Sequence, residues 1–486
     1  MEKNKNSKNY HGVLILSKNK TFGRHKNGNF LYKVVSYDKE IPYFLVPYKL
    51  KIEFSKIFIN NFISFTFSYQ IPNQPPVGII TNNFGDIDKL KNLYEYKSSI
   101  YRNLAVNPND KKLKTLIICD TIHDRIYEKM SIENRTKTII FSIDGKDTID
   151  FDDALSFDIE KKQISIYIPN VALIIDFLQL WNKIGSNAAS IYFQHKKISM
   201  LPQNLSNCCS LINGKNRIAF VIDIFYNENY LITEVKLSNA LIKVRKNYIY
   251  ESIELLENQN YKDLFNLSKK ISENNSINGV AFNGIQDSKN VIEYFMNLTN
   301  KECAKKMATL QSGIFRVTKD TPSSPPCDFL KLRSFYTGFN ETIDAVNCYT
   351  HITSPIRRVV DLLNLINMSS DILSQSAKDY YLEFIENIDK INADMKEIKK
   401  IQNDCFILHY CETNPDVLDE ELIGYVFDKK TNDNGMTEYL VYLPKIKFIS
   451  KIIMANDTPL EYENKYKLII FNCEENLMKK IRIIIS

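Results

Sequence analysis

Five aspartates fall within ten residues of this chain: Asp144, Asp147, Asp150, Asp152 and Asp153, in the run FSIDGKDTIDFDDALSF that spans residues 141–157. Apolar β-formers lie on both sides, at 138–143 and 154–157. Carboxylates at that density repel one another and raise each other's pKa. A bound divalent cation relieves the repulsion, and hard carboxylate oxygens suit Mg²⁺ or Mn²⁺. A calcium loop needs acidic or amide groups at positions 1, 3 and 5, a glycine at 6 and a glutamate at 12. Counted from Asp144, the acids fall at 1, 4, 7, 9 and 10 and the glycine at 2, so that pattern fails. Spacing alone leaves two readings, a catalytic Mg²⁺ site and a solvated acidic turn.

The elements that must hold this run can be read from the rest of the chain. Its 486 residues suffice for about three domains. With 44% hydrophobic and 25% charged residues it is globular rather than disordered. No apolar run of about 18 residues occurs, so no membrane span is expected. Residues 1–9 lack the apolar core of a signal peptide and read as a short arm. The nine cysteines stand singly apart from Cys208-Cys209, with no CxxC pair and no zinc spacing. They read as reduced thiols of a cytoplasmic protein. The net charge of +6 is compatible with a polyanionic partner.

Both ends read as β. Strands are expected at 12–16, 30–35, 43–46 and 62–67, with a fifth at 77–80, which suits a small OB-type barrel. There Phe22, Phe30, Tyr32, Tyr43 and Phe44 alternate with Lys20, Arg24, Lys26 and Lys33. Such interleaving serves single-stranded nucleic acid, rings stacking on bases and cations meeting phosphates. The competing reading is that these rings fill the barrel. A polar, partly helical linker is expected at 86–135. Strands at 163–168 and 218–225 follow the acidic run. Helices are expected at 291–307, 359–368 and 377–410, the last a long amphipathic brace. Strands at 424–427, 438–443, 466–471 and 479–485 suggest a second small barrel. The expected class is α+β, divided at 1–115, 116–412 and 413–486.

Three ordered segments resemble the signatures of the ribonuclease II/RNB exoribonucleases. The first is Asp144 followed by Asp150-Phe151-Asp152-Asp153-Ala154. The second is Met200-Leu201-Pro202 through Leu205-Ser206, Cys209-Ser210-Leu211 and Arg217-Ile218-Ala219-Phe220. The third runs from Tyr349 through Thr353-Ser354-Pro355-Ile356-Arg357-Arg358 to Asp361-Leu362-Leu363. The resemblance implies a central RNB catalytic domain, a mixed sheet with helices, flanked by OB-type barrels. It implies processive 3′→5′ hydrolysis of single-stranded RNA to nucleoside 5′-monophosphates by a monomer. One or two Mg²⁺ ions, or Mn²⁺, would be held by Asp144, Asp150, Asp152 and Asp153, with Asp152 the most indispensable. Asp147 stands at a variable place. Arg357 would meet the scissile phosphate, Tyr192 the 3′-terminal nucleotide, Glu293 the terminal ribose hydroxyls, and Lys196 and Lys197 other phosphates. His195 and His351 are not needed by a metal-dependent mechanism.

Pro355 fixes its own φ and biases Ser354 towards an extended conformation. A helix is therefore expected to start next, with Arg357 in its first turn, where free N–H groups favour an anion. An ion pair of Arg357 with Asp361 is the competing structural role, and Arg358 is the arginine expected to be structural. The chain also departs from the family. Gly145 replaces a proline, Leu365-Ile366 replaces a His-Arg pair, Phe193-Gln194 replaces Leu-Pro, and residues 167–172 lack a His, an Asp and a Ser. A catalytically silent RNA-binding scaffold and a DNA-directed nuclease remain as alternatives.

Overall fold

Alternating apolar residues at the start of the chain form five strands: β1 (Asn9–Leu14), β2 (Phe30–Ser36), β3 (Phe44–Tyr48), β4 (Asn61–Tyr69) and β5 (Val77–Asp86). The computed structural model describes residues 9–38, 40–50, 58–104, 120–185, 187–194, 196–275, 284–318, 334–432, 435–455, 460–472 and 479–486. The five strands close into a barrel in the order β1-β2-β3-β5-β4, the OB-type arrangement expected. Leu14, Tyr32, Val34, Phe44, Val46, Ile63 and Phe65 fill it. A side chain at Gly12 would collide with the Val35 carbonyl, so the approach of β1 to β2 requires glycine there. The aromatic set divides: Tyr32 and Phe44 are core, whereas Phe30 and Tyr43 are 42% and 39% exposed.

A second closed barrel carries the acidic run. Its strands are β6 (Glu133–Asp144), β7 (Ala154–Asp158), β8 (Gln163–Pro169), β9 (Asn216–Tyr226) and β10 (Ile232–Ile249). The order is β9-β10-β6-β7-β8, with β8 paired to β9. β10 runs parallel to β6, and the other pairs are antiparallel. Ile140, Ala154, Tyr167, Ala219, Val221, Ala240, Ile242 and Val244 pack inside. Burying each valine or isoleucine among them stabilises the fold by about 1.5–3 kcal/mol. The apolar flanks of the acidic run are thus barrel staves, and the barrel pins both ends of the loop. The 18-residue β10 has no expected counterpart in sequence. Its first half reads Ile-Thr-Glu-Val-Lys-Leu-Ser-Asn, mostly polar and with no buried residue, which hides the strand pattern.

The helix expected at 359–368 forms at those bounds without Arg357, and the long brace is broken. The helix Val359–Met368 starts after Arg358, which is extended at φ −134° and ψ 127°. A bridge to Ala189 holds it so: the Ser190 N–H donates to the Arg357 carbonyl at 2.8 Å, and the Val359 N–H donates to Ala188 at 2.9 Å. Arg357 therefore lies in a turn ahead of the helix, not in its first turn. The expected long brace is two helices, Gln375–Glu386 and Ile388–Thr413. Asn387 breaks it, because its side chain donates to the Glu383 carbonyl at 2.8 Å while its backbone leaves helical geometry at φ −113°.

The C-terminal strands are β11 (Leu422–Asn432), β12 (Met436–Leu443), β13 (Phe448–Ala455), β14 (Glu463–Asn472) and β15 (Lys479–Ile485). They form a sheet ordered β13-β12-β11-β14-β15, with Leu422, Val441, Leu443, Phe448, Tyr466 and Ile483 in its core. This is the N-terminal barrel's order cut between third and fifth strands. Among the described residues no ladder closes it.

Contacts divide the chain into two compact units, cutting across the three-way division expected. One holds Met1–Ala105, Tyr192–Ile198 and Glu397–Ser486; the other holds Val106–Ile191 and Ser199–Lys396. In the first, Val13, Phe62, Tyr96 and Ile100 pack with Cys405 and Leu408, and Lys97 pairs with Asp404 at 3.3 Å. Both β-modules and the end of the last helix therefore fold together. Among the described residues no helix is long and apolar enough to cross a membrane.

Candidate active site

The acidic loop leaves the second barrel at the end of β6 and re-enters it at β7. Asp144 is the last residue of β6, opposite Ile249 of β10, and its carbonyl accepts the Tyr250 N–H at 2.9 Å. Asp147 is exposed beside the turn in which the Thr148 N–H donates to Gly145 at 3.1 Å. The loop then turns inward, and Asp150 and Asp152 are buried. Phe151 between them is stapled on both sides: its N–H donates to Ser210 Oγ at 2.9 Å, and its carbonyl accepts the Leu211 N–H at 3.0 Å. Fully buried Arg217 donates in turn to the Ser210 carbonyl at 2.7 Å. Ser210, Leu211 and Arg217 lie in the second sequence segment, and loop positioning is the task the structure shows for them.

The third segment folds back onto the loop. Asp152 Oδ2 accepts Arg357 Nε at 2.9 Å, and its Oδ1 accepts the Ile356 N–H at 3.3 Å. Arg357 Nη2 donates to Ser354 Oγ at 2.9 Å. The guanidinium is fixed through two partners yet stays 44% exposed. Arg357 thus pairs with Asp152 and not with Asp361. It is Arg358 that reaches Asp361, at 2.8 Å, and Asp361 also accepts the Ser354 N–H at 2.7 Å. Arg358 and Asp361 brace the turn from which Arg357 projects.

Burial dominates the electrostatics. It pushes Asp152 up from 3.8 to about 6, against the pull of Arg357. Asp144 also rises to about 6 through burial, opposed by the Ser142 hydroxyl and Arg357. Asp153 is driven well above the usual carboxylate range by burial and then by the charges of Asp144 and Asp152. Tyr250 rises for the same reasons, burial first and then Asp153 and Asp144, so it faces the site as a neutral phenol. No sequence signal pointed to it.

Two observations bear on whether these residues fit a divalent cation. Asp153 Oδ2 is buried and has no hydrogen-bond partner. It also shares a negative field with Asp144 that only a cation or a proton can relieve. Those two carboxylates could hold a metal ion. Asp152 is instead engaged by Arg357. Among the described residues no group of three or more His, Cys, Asp or Glu side chains stands arranged as a ready-made cage.

The remaining candidates are dispersed. Glu293 is half-buried in the helix Ser288–Thr309 of the same unit. Tyr192, Lys196 and Lys197 belong to the other unit, on a two-stranded ribbon of Ile191–Phe193 and Lys196–Ile198. Tyr192 is 44% exposed, with Lys197 Nζ at 5.5 Å from its ring centroid. Lys196 donates to both Glu95 oxygens, at 2.7 and 2.8 Å. His195 lies outside the described residues. His351 is buried between Tyr336 and Arg316, with Nδ1 at 2.7 Å from the tyrosine hydroxyl.

Residues 133–332, which contain the second barrel and its acidic loop, match the RNB domain family. The chain carries an RNB domain. Ribonuclease R of Mycoplasmopsis pulmonis is 30% identical over 199 residues, which cover 40% of this chain and 26% of that protein. Ribonuclease R of Helicobacter pylori is 24% identical over 375 residues, 60% of this chain and 57% of that protein. The chain thus spans well under two thirds of the length of these curated relatives. Around the RNB domain the resemblance of fold extends further. The apo form of Mycoplasma genitalium RNase R superposes with a TM-score of 0.69 at 16% identity, covering 98% of this chain and 90% of that one. The same protein is solved with ribose-methylated single-stranded RNA and with double-stranded RNA. Yeast Ssd1, described as a pseudonuclease, shares the fold at a TM-score of 0.58 and 13% identity, covering 96% and 67%. The fold alone does not decide catalysis; the residues on the acidic loop must.

Proposed function

We propose that this chain is a metal-dependent exoribonuclease that degrades single-stranded RNA from its 3′ end to nucleoside 5′-monophosphates. The observation that carries the reading is the meeting of Arg357 with the acidic loop. A solvent-reaching guanidinium, the side chain best matched to phosphate oxygens, is anchored to Asp152 near the loop's end. Asp144 and Asp153, with Asp150 beside them, would hold Mg²⁺ or Mn²⁺, which supplies an activated water and charge relief on the phosphate. Asp152 holds Arg357 so that the guanidinium meets the phosphate without reorienting during the reaction. The exposed ring of Tyr192 would stack on a terminal base, Lys197 beside it and Lys196 would answer phosphates, and Glu293 would bind the terminal ribose.

A silent scaffold is the second reading, prompted by the divergent residues 167–172. Their environment explains them without reference to catalysis. Tyr167 fills the barrel, its hydroxyl 2.8 Å from Ser156 Oγ. Asn170 caps the helix Val171–Phe177, accepting the Leu173 N–H at 3.1 Å. These are core and cap positions, so divergence there weighs little against an acidic loop that keeps all four aspartates.

The test is to incubate the protein with 5′-labelled RNA and DNA oligomers, with Mg²⁺ and with EDTA. RNA shortened from its 3′ end only with Mg²⁺ is the expected result. Equal cleavage of DNA, or cleavage of neither, would overturn it.

A further inference from the structure

Asn247 sits near the end of β10, opposite Ser142 of β6. Two backbone groups fix its amide: Oδ1 accepts the Asn213 N–H at 2.8 Å, and Nδ2 donates to the Leu211 carbonyl at 3.0 Å. Its second Nδ2 hydrogen then goes to Ser142 Oγ at 2.7 Å. Ser142 is fully buried and has one hydrogen to give, and its Oγ lies 2.7 Å from Asp144 Oδ2. An ionised carboxylate only accepts. The direction of the chain is therefore forced, from Asn247 to Ser142 to Asp144. The other arm of the same amide holds Leu211, whose N–H holds Phe151 between Asp150 and Asp152.

We propose that Asn247 and Ser142 are positioning residues that set the acidic loop for its divalent cation. The relay commits Asp144 Oδ2 to Ser142 and leaves Oδ1 for the ion. The Leu211 arm sets the Asp150–Asp153 half of the loop from the same side chain. One amide on a barrel strand thereby joins both halves of a loop whose members lie up to nine positions apart. Neither residue touches metal or substrate. The inference rests on the reading of the acidic loop as a cation site.

The experiment measures Mn²⁺ binding to the RNA-free protein by electron paramagnetic resonance, with Asp144→Asn as the control that removes the ligand. Ser142→Ala is expected to weaken Mn²⁺ binding by about 10- to 100-fold, the usual effect of removing a group that orients a metal ligand. Ser142→Thr, which keeps the hydroxyl, is expected to restore most of it. Asn247→Asp turns the donor into an acceptor and is expected to match Ser142→Ala, with the double variant little worse than either because the groups act in series. The Mg²⁺ concentration giving half-maximal RNA cleavage is expected to rise by the same factor. Ser142→Ala that is folded by circular dichroism and binds Mn²⁺ as tightly as wild type overturns the relay and leaves the cation reading standing. If Ser142→Ala does not fold, Ser142→Cys, which keeps the volume but donates weakly, decides on the same measure. A wild type that binds no Mn²⁺, or binds it equally after Asp144→Asn, overturns the cation reading and the relay with it.

Discussion

Arg357 holds Asp152 through Nε and Ser354 through Nη2, two nitrogens of one rigid plane that the single ammonium of a lysine does not reproduce. Arg357→Lys keeps the charge that attracts RNA but loses the fork. It is expected to lose about 10²-fold or more in kcat, similar to removing one oxyanion donor, while RNA affinity changes only a few-fold. Single-turnover cleavage alongside filter binding checks this; intact single-turnover rates with a raised Kd would make Arg357 a tether. The aspartates carry a second expectation, in stability. Asp144 and Asp152 sit near 6 when folded and at 3.8 when free, and Asp153 is raised further in the same direction. A raised carboxylate favours the folded state at low pH, and that contribution is lost as pH rises through the folded value. Without metal at pH 7.5, Asp153→Asn is therefore expected to melt above wild type, by about 1–2 °C for a relief of roughly 1 kcal/mol in a chain of this size. The gap is expected to narrow as pH falls and to close near 3.8, where the unfolded carboxyl is protonated too. Buried His123, depressed to about 4, pulls the other way, since its contribution is lost as pH falls below 6.5. Both proteins share it, so the difference between them isolates the aspartates. A wild type that melts higher at pH 7.5 would refute the repulsion account.

Single elements separate packing from recognition on the N-terminal barrel. Arg24 lies 4.5 Å from the Phe30 ring centroid and Lys33 4.4 Å from that of Tyr43, so each exposed ring is paired with a cation. Tyr32 and Phe44, one position away in sequence from a cation or an exposed ring, point into the core. Alternation along a strand turns Lys33 and Tyr43 away from the core that Tyr32 and Phe44 enter, since successive side chains face opposite sides; Phe30, two positions before Tyr32, is exposed as the first residue of β2. Phe30→Ala and Tyr43→Ala are each expected to weaken single-stranded RNA binding by about 1–3 kcal/mol with melting unchanged. Tyr32→Ala is expected to lower the melting temperature instead. Fluorescence anisotropy with a short labelled RNA and a thermal melt distinguish these, and an unchanged affinity in the first two variants would assign the rings to solvent.

At the scale of the whole molecule the C-terminal sheet is not a detachable module. Ile407 and Cys411 of the last helix pack in its core with Leu422, Val441 and Tyr466, while Cys405 and Leu408 of the same helix pack with Tyr96 and Phe62. Deleting residues 421–486 is therefore expected to loosen the helix and the N-terminal barrel together, as well as to weaken binding of long RNA. Hydrogen exchange across 61–104 reads this directly. Protection there unchanged from the full chain would show that the barrel is independent.

The acidic run, its order with the segments around Ser210 and Arg357, and most strands of both end modules were legible in the chain, because hydrophobic period and motif spacing are local properties. The partners were not. That Arg357 meets Asp152 rather than Asp361 depends on a β-bridge between Ala189 and Arg358 that delays the helix, a contact between segments distant in sequence. Asn247 shows the same limit. It lies on a strand whose polar first half concealed it, and nothing in its neighbours signals a role until the parallel pairing of β10 with β6 sets it opposite Ser142. Residue types determined which chemistry this loop can perform; tertiary pairing decided that both oxygens of Asp152 and one of Asp144 are already taken.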